Sequence, residues 1–348
     1  MTMSKQTDRQ AGVGLVEVMV ALVIGLVTVL VIMQLFSVFE GDKRTTMGGA
    51  DAQTNGGIAL YTIKRQAAMA GFGLPVFSTL NPPLLCNNNA LAFGGVNLFP
   101  IALVDGGNAA GASDRIQIRY GSSTTGGVPV KLVSFVNPLG VNNSSACQAG
   151  DVALVSTGNV CAMTSVTAVP DATHITLAAL PVGLTSTSTV ACLGRWSQFT
   201  YAVNAGRMEL TTTVAGVATV TPSVDGIVNI QAQYGVSATA NSNIVNQWVD
   251  ATGVWANPDI ATRNRIKAIR VAVVARSDLF EQTPVTNACS ALNAANPTGL
   301  CAWVGDNVSP APAIDLSNDP NWQRYRYKVY ETVIPLRNVI WTRGTMTP

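Results

Sequence analysis

From Val18 to Phe39 the chain carries no charged side chain. A helix rises about 1.5 Å per residue, so about 20 such residues cross the roughly 30 Å hydrocarbon layer of a bilayer. The run VGLVEVMVALVIGLVTVLVIMQLFSVF therefore predicts a membrane helix, behind the short polar stretch MTMSKQTDRQAG with Lys5 and Arg9. It is too long for the apolar part of a cleaved secretory signal, and Ser37, Val38, Phe39 and Glu40 offer no small-residue cleavage site. The competing reading, a buried core helix, fits poorly with uniform apolarity at an N-terminus.

Glu17 is the odd residue in this run. An ionised carboxylate at membrane depth costs about 2.5–3.5 kcal/mol on translocon scales and persists when it has a partner. No Lys or Arg lies within helical reach on the membrane side. A partner must come from another chain, or from a new N-terminus made by cleavage nearby. If the chain is cut after Gly12, the ammonium of Val13 lies one helical turn from Glu17, and in a helical assembly it reaches a neighbour's Glu17. Ala21 and Gly25 form a small-x-x-x-small pair that lets helix backbones approach closely.

The six cysteines, Cys86, Cys147, Cys161, Cys192, Cys289 and Cys301, include no C-x-x-C pair. Wide spacing and an even count fit disulfides in an oxidising compartment. Sequence does not choose a connectivity. The cheapest local pairings are Cys289–Cys301 and Cys147–Cys161, which leave Cys86–Cys192.

Composition removes other classes. The one histidine, His174, excludes most metal and His-based catalytic schemes. It lies in DATHITLAAL, a strand or turn context rather than a triad. A net charge of +2 gives no global pull toward nucleic acid or acidic lipid. Asp315, Asn318, Asp319 and Asn321 cluster oxygens that suit calcium, without the spacing of a calcium loop, so a solvated turn is the better reading. Arg324, Arg326 and Lys328 alternate with Tyr325 and Tyr327. Alternation puts cations and rings on opposite faces, which argues against a phosphate-and-stacking site. No catalytic residue, metal ligand or cofactor site is indicated.

After Phe39 the chain turns polar, and Gly41, Gly48, Gly49, Gly56 and Gly57 weaken the helix. A continuous, a kinked and a locally melted helix all remain open. Helical periodicity returns with Leu60, Ile63, Ala67, Ala70 and Leu74, a stripe expected to pack on a sheet with Lys64 and Arg65 outside it, and Gly71, Gly73 and Pro75 end it. The rest reads as strands. Ile116, Ile118 and Tyr120 alternate with Arg115, Gln117 and Arg119. Further strands begin at Asp151 and Phe199, the latter opening a hairpin around Asn204-Ala205-Gly206. Others lie at 228–236, 266–275 and 324–329. One mostly antiparallel domain is expected, with long loops near 78–112 and 279–323.

Gly12-Val13-Gly14-Leu15-Val16-Glu17, behind a basic leader and ahead of a long apolar run, resembles the class III signal of type IV pilins and type II secretion pseudopilins. Val13 stands where phenylalanine is usual, and Gly14 where a hydroxyl residue is usual. The resemblance implies that a prepilin peptidase cuts after Gly12 and methylates Val13, and that Glu17 pairs with a neighbour's N-terminus. Ala68-Met69-Ala70-Gly71-Phe72-Gly73, the stretch Val224-Asp225-Gly226 to Tyr234-Gly235-Val236, and Pro335-Leu336-Arg337-Asn338 are similar to the PilW family of minor pilins.

That family implies an α+β pilin fold, a long N-terminal helix packed on a mostly antiparallel β domain. The division is a leader at 1–12, a membrane or filament-core helix at 13–39, its amphipathic half at 40–75 and a β-rich periplasmic or extracellular domain at 76–348. The implied function is structural rather than enzymatic. The chain sits in the inner membrane by a single pass before assembly. It then joins other minor pilins and the major pilin, primes assembly and lies at or near the pilus tip, where a large adhesin often binds. Glu17 places it beneath another subunit rather than at the apex. The alternatives are a type II secretion pseudopilin and a membrane-anchored periplasmic enzyme or DNA receptor.

Overall fold

A computed structural model describes Gly12, residues 14–74 and residues 99–338, except 124, 126, 158, 159 and 215; at 42, 44, 45, 157, 160, 161, 260 and 261 it describes the backbone alone. Leu15–Ala68 form one unbroken helix, α1. The strands are β1 Ile101–Val104, β2 Arg115–Tyr120, β3 Val130–Lys131, β4 Leu139–Gly140, β5 Val152–Thr157, β6 Val160–Asp171, β7 His174–Leu177, β8 Thr189–Cys192, β9 Ser197–Asn204, β10 Arg207–Val214, β11 Val217–Asp225, β12 Ile227–Val236, β13 Gln247–Val249, β14 Ile266–Phe280 and β15 Tyr325–Pro335, with a short helix α2, Ile260–Arg263, before β14.

The strands build three sheets, with orders β1-β2-β9-β10-β11, β13-β12-β14-β15 and β3-β8-β5-β6-β7-β4. Every named strand pair is antiparallel. The third sheet is made wholly of residues between β2 and β9, and these two strands pair directly, with Tyr120 opposite Ser197. It is therefore an insertion into the first sheet, a division that the expectation of one mostly antiparallel domain did not contain. Its core gathers Leu139, Val155, Val166, Ile175 and Val190 around the disulfide Cys147–Cys192.

That disulfide corrects the local pairing Cys147–Cys161. β8 lies beside β5 in the sheet, so Cys192 is brought from 45 residues away to a Cα separation of 5.2 Å. Cys289–Cys301 is joined as the short spacing suggested. Cys86 and the Cys161 side chain lie outside the described residues.

The helix owes its continuity to two of the glycines that weaken it locally. A Cβ on Gly48 would stand 2.4 Å from Ser277 Oγ, and one on Gly56 would stand 2.4 Å from Tyr330 Cδ2 and 3.1 Å from Ala275 Cβ. Gly48, Ala52, Gly56, Ala59, Ile63, Ala67 and Ala70 are all buried, at steps of 4, 4, 3, 4, 4 and 3. This stripe of small side chains brings the helix backbone down onto β14 and β15. Packing outweighs the propensity cost of about 1 kcal/mol per glycine. Gly41, Gly49 and Gly57 meet nothing within 4 Å. The expected stripe at 60–74 is its upper part: Ile63, Ala67, Ala70 and Leu74 are buried, Leu60 is half-buried, and Lys64 and Arg65 are exposed. Past the helix Gly71 and Gly73 turn the chain at φ 79°. The Gly71 N–H donates to the Arg119 carbonyl at 2.9 Å, tying the helix exit to β2.

Two expectations for the start of the β domain need correction. Residues 101–104, expected within a long loop near 78–112, form the edge strand β1 and pair with β2 from Val104↔Arg115 to Ile101↔Ile118. Arg119, expected on the solvent face of β2, is buried. Its Nε donates to Gln198 Oε1 (2.8 Å), Nη1 to the Phe99 carbonyl (2.9 Å) and Nη2 to Gln117 Oε1 (2.9 Å). Burial lowers its pKa to about 10. Tyr120 is only half-buried, stacked on Phe199 with its hydroxyl donating to Gln66 Oε1 at 2.6 Å.

Asp114 joins the first two sheets. Its Oδ1 accepts the Gly106 N–H (2.9 Å) and its Oδ2 the Ala232 N–H of β12 (2.7 Å), in a buried setting. Burial outweighs these two donors and raises its pKa to about 7. Between about pH 4 and pH 7 the folded chain then holds a proton that the unfolded chain has released, so stability falls as pH rises through this window. The slope approaches about 1.4 kcal/mol per pH unit. Asp171, Asp259 and Asp315 have lowered pKa values and act below that window, whereas burial also raises the pKa of Asp250, which adds to the decline. Denaturant unfolding of the full chain in detergent should show the decline. Asp114→Asn should flatten it, because an amide does not titrate, while lowering stability at pH 4 by setting its NH₂ against one of the two N–H donors. A flat profile in the unsubstituted protein would contradict this assignment.

Candidate functional site

Residues 15–39 of α1 form the candidate site. Gly14, extended at φ −71° and ψ 145°, opens the helix, and its carbonyl accepts the N–H of Glu17 (2.9 Å) and of Val18 (3.2 Å). No side chain caps this end. Glu17 in the first turn has the sign that the helix dipole favours there. Every residue from Leu15 to Phe39 is exposed. The Thr28 hydroxyl is satisfied internally, its Oγ1 donating to the Ile24 carbonyl at 2.7 Å. Such a surface, apolar all round and covered by none of the described residues, is unstable in water and needs lipid or other helices.

The helix brings Glu17, Ala21 and Gly25 onto one face. Together with Val18, Leu22, Leu26 and Val29 they line a shallow groove. A Cβ on Gly25 would meet nothing, so the groove floor is open backbone. The carboxylate stands at one end of this slot. Chemically the slot offers close apolar packing plus one anionic anchor. Gly12 is exposed, and Val13 lies outside the described residues.

The other sites weighed in the sequence are turns and ion pairs. The Asp171 carboxylate and the Thr173 hydroxyl both meet the same ring nitrogen of His174, Nδ1, at 2.9 and 3.2 Å. A relay would set acid and nucleophile on opposite nitrogens. Asp315 Oδ1 accepts the Ser317 N–H, and Asp319 Oδ1 the Asn321 N–H, so these oxygens close turns. Asp319 also pairs with Arg276 at 3.3 Å. Among the described residues no three His, Cys, Asp or Glu side chains group to hold a metal. Arg326 pairs with Glu281 at 2.7 Å, and Arg324 donates to the Glu281 and Gln282 carbonyls while covering the Phe280 ring at 4.1 Å. These cations serve the fold.

Comparison with known proteins follows the same two regions. Residues 7–33 match the family model of the prokaryotic N-terminal methylation motif, and residues 198–338 match that of type IV pilus-assembly protein W, PilW. The chain joins a prepilin-type N-terminal motif to a PilW domain. The PilW match spans β9 to β15 and so excludes the inserted sheet. The prepilin motif implies processing by a prepilin peptidase and assembly with other pilins. No curated protein matches the chain. Among solved structures, a type IV-like pilin from Thermus thermophilus is similar at 11% identity, covering 83% of this chain and 97% of that chain with a TM-score of 0.35.

Proposed function

We propose that this minor pilin assembles through the groove of its N-terminal helix, with Glu17 paired to the N-terminal amine of a neighbouring subunit, and that it helps to prime a pilus and stays at or near its tip. The observation that carries the reading is an apolar helix segment, covered by none of the described residues, whose single carboxylate ends a small-residue slot inside a methylation motif. Cleavage after Gly12 would free the Val13 ammonium, the one cation the helix can supply at that depth. Before assembly the helix anchors the chain in the inner membrane with the β domain on the periplasmic side. Other minor pilins, the major pilin and a tip adhesin are the expected partners.

Intact-mass analysis of the protein from sheared filaments tests the processing step. Loss of residues 1–12 and gain of one methyl group on Val13 is expected. An uncut N-terminus would turn the reading toward a plain membrane anchor.

A further inference from the structure

The outer edge of the five-stranded sheet is a second surface suited to a partner. Among the described residues β11 is its last strand. Residues 217–223 are exposed, on both faces of the strand. No charged residue occurs between Glu209 and Asp225.

Register fixes where the backbone groups of β11 point. Asn204↔Arg207 and Val214↔Val217 close the hairpins on the two sides of β10. A pair that closes a two-residue loop exchanges hydrogen bonds, and bonded pairs then alternate along the ladder. Val217, Thr219 and Thr221 therefore turn their N–H and C=O groups toward β10, and Ala218 and Val220 turn theirs outward. Pro222 also sits at an outward position, where its missing N–H removes no bond to β10.

Sheet edges are commonly blunted by charge or by shortness. β15, the outer strand of the four-stranded sheet, carries Arg326, Lys328 and Glu331. β1 and β13 have only four and three residues. β11 has nine residues and Pro222 as its one guard, so the edge at 217–221 is a template for one more strand.

A second copy does not fit this edge. β2 reaches α1 at Gln66 through Tyr120, whereas Gly226, just after β11, lies beside Asn55. The helix thus runs across the sheet from β11 toward β2, and the open edge faces its apolar end. Self-pairing of β11 needs a two-fold axis either normal to the sheet or along the strand. Both axes reverse the helix, and two apolar segments pointing opposite ways do not enter one membrane from the same side.

We propose that residues 217–221 of β11 accept a strand from the globular domain of a different pilin subunit. That strand is an extended segment without charged side chains, because β11 offers no countercharge across the ladder. The proposal rests on the pilin reading only for the source of the strand.

The test uses the full-length protein in its native membranes and filaments, with a benzophenone amino acid at Thr219 and, as a control, at the exposed Val182. Illumination should join position 219, and not 182, to a subunit that has its own prepilin-type N-terminus, through a peptide lacking charged residues. Val220→Pro removes one outward N–H and should cut this adduct about tenfold, in line with the loss of a backbone hydrogen bond. Thr221→Lys leaves the backbone intact and should lower it as well. A self-adduct, a lipid adduct, or a yield unchanged in both variants overturns the proposal. Protein found in filaments without a 219 adduct sinks the edge proposal alone. The subunit adduct in membranes with no protein in filaments sinks the filament reading and leaves the edge standing.

Discussion

Glu17→Ala is expected to reduce incorporation into filaments by at least tenfold, the effect of about 1.4 kcal/mol, while leaving the β domain folded. The carboxylate lies in the first turn of α1, far from the small-residue stripe at 48–70 that holds the helix to the sheets, so its removal does not touch that packing. The lone helix gains from the change, since an unpaired acid at membrane depth costs about 2.5–3.5 kcal/mol. The variant should therefore stay in the membrane at normal or raised levels. Glu17→Gln keeps the side-chain volume in the groove and removes the charge. It should fail to the same degree if ion pairing is what matters, and should assemble normally if the groove only requires filling. Immunoblots of sheared filaments against membrane fractions give both numbers. Normal incorporation of both variants would defeat the assembly mechanism.

The second large effect concerns glycines one residue apart. Gly56→Leu must push a branched side chain into Tyr330 and Ala275, and Gly48→Leu must displace the buried Ser277. Overpacking of this kind costs about 1–3 kcal/mol. Gly57→Ala and Gly49→Ala point into open space and should stabilise, each by up to about 1 kcal/mol of helix propensity. Thermal unfolding of the full chain in detergent should move down for the first pair and up for the second. The same sign for Gly56 and Gly57 would mean that the helix does not lie on β14 and β15 as described.

The contrast also shows what a sequence can and cannot announce. The candidate N-terminal site stands out in the sequence because a single carboxylate in an uncharged run is a loud signal that needs no knowledge of the rest of the fold. Gly48 and Gly56 left the continuity of the helix open because a glycine looks the same to helix propensity whether it faces water or the backbone of a strand. Arg119 alternates correctly along β2, yet alternation does not reveal that Phe99 and Gln198 cover its face. The hairpin at Ala205-Gly206 was readable from local turn chemistry, and both residues do adopt positive φ. The inserted sheet and the Cys147–Cys192 bond were not readable, because both depend on which strands lie side by side across 45 residues. Small pairings such as β3–β8 and β4–β7 are too short to leave a periodic trace.

The insertion meets its parent sheet at two residues that already face each other, Tyr120 and Ser197. An ordinary tight turn spans that gap, so the excursion can lengthen, shrink or be exchanged without shifting the register of β2 against β9. Leu74 and Trp196 share a small apolar cluster with Val152 and Leu193, which seats the excursion against the exit of α1. The design separates mount from cargo: the mount carries the anchor and the strand ladders, and a change in the cargo leaves both in place.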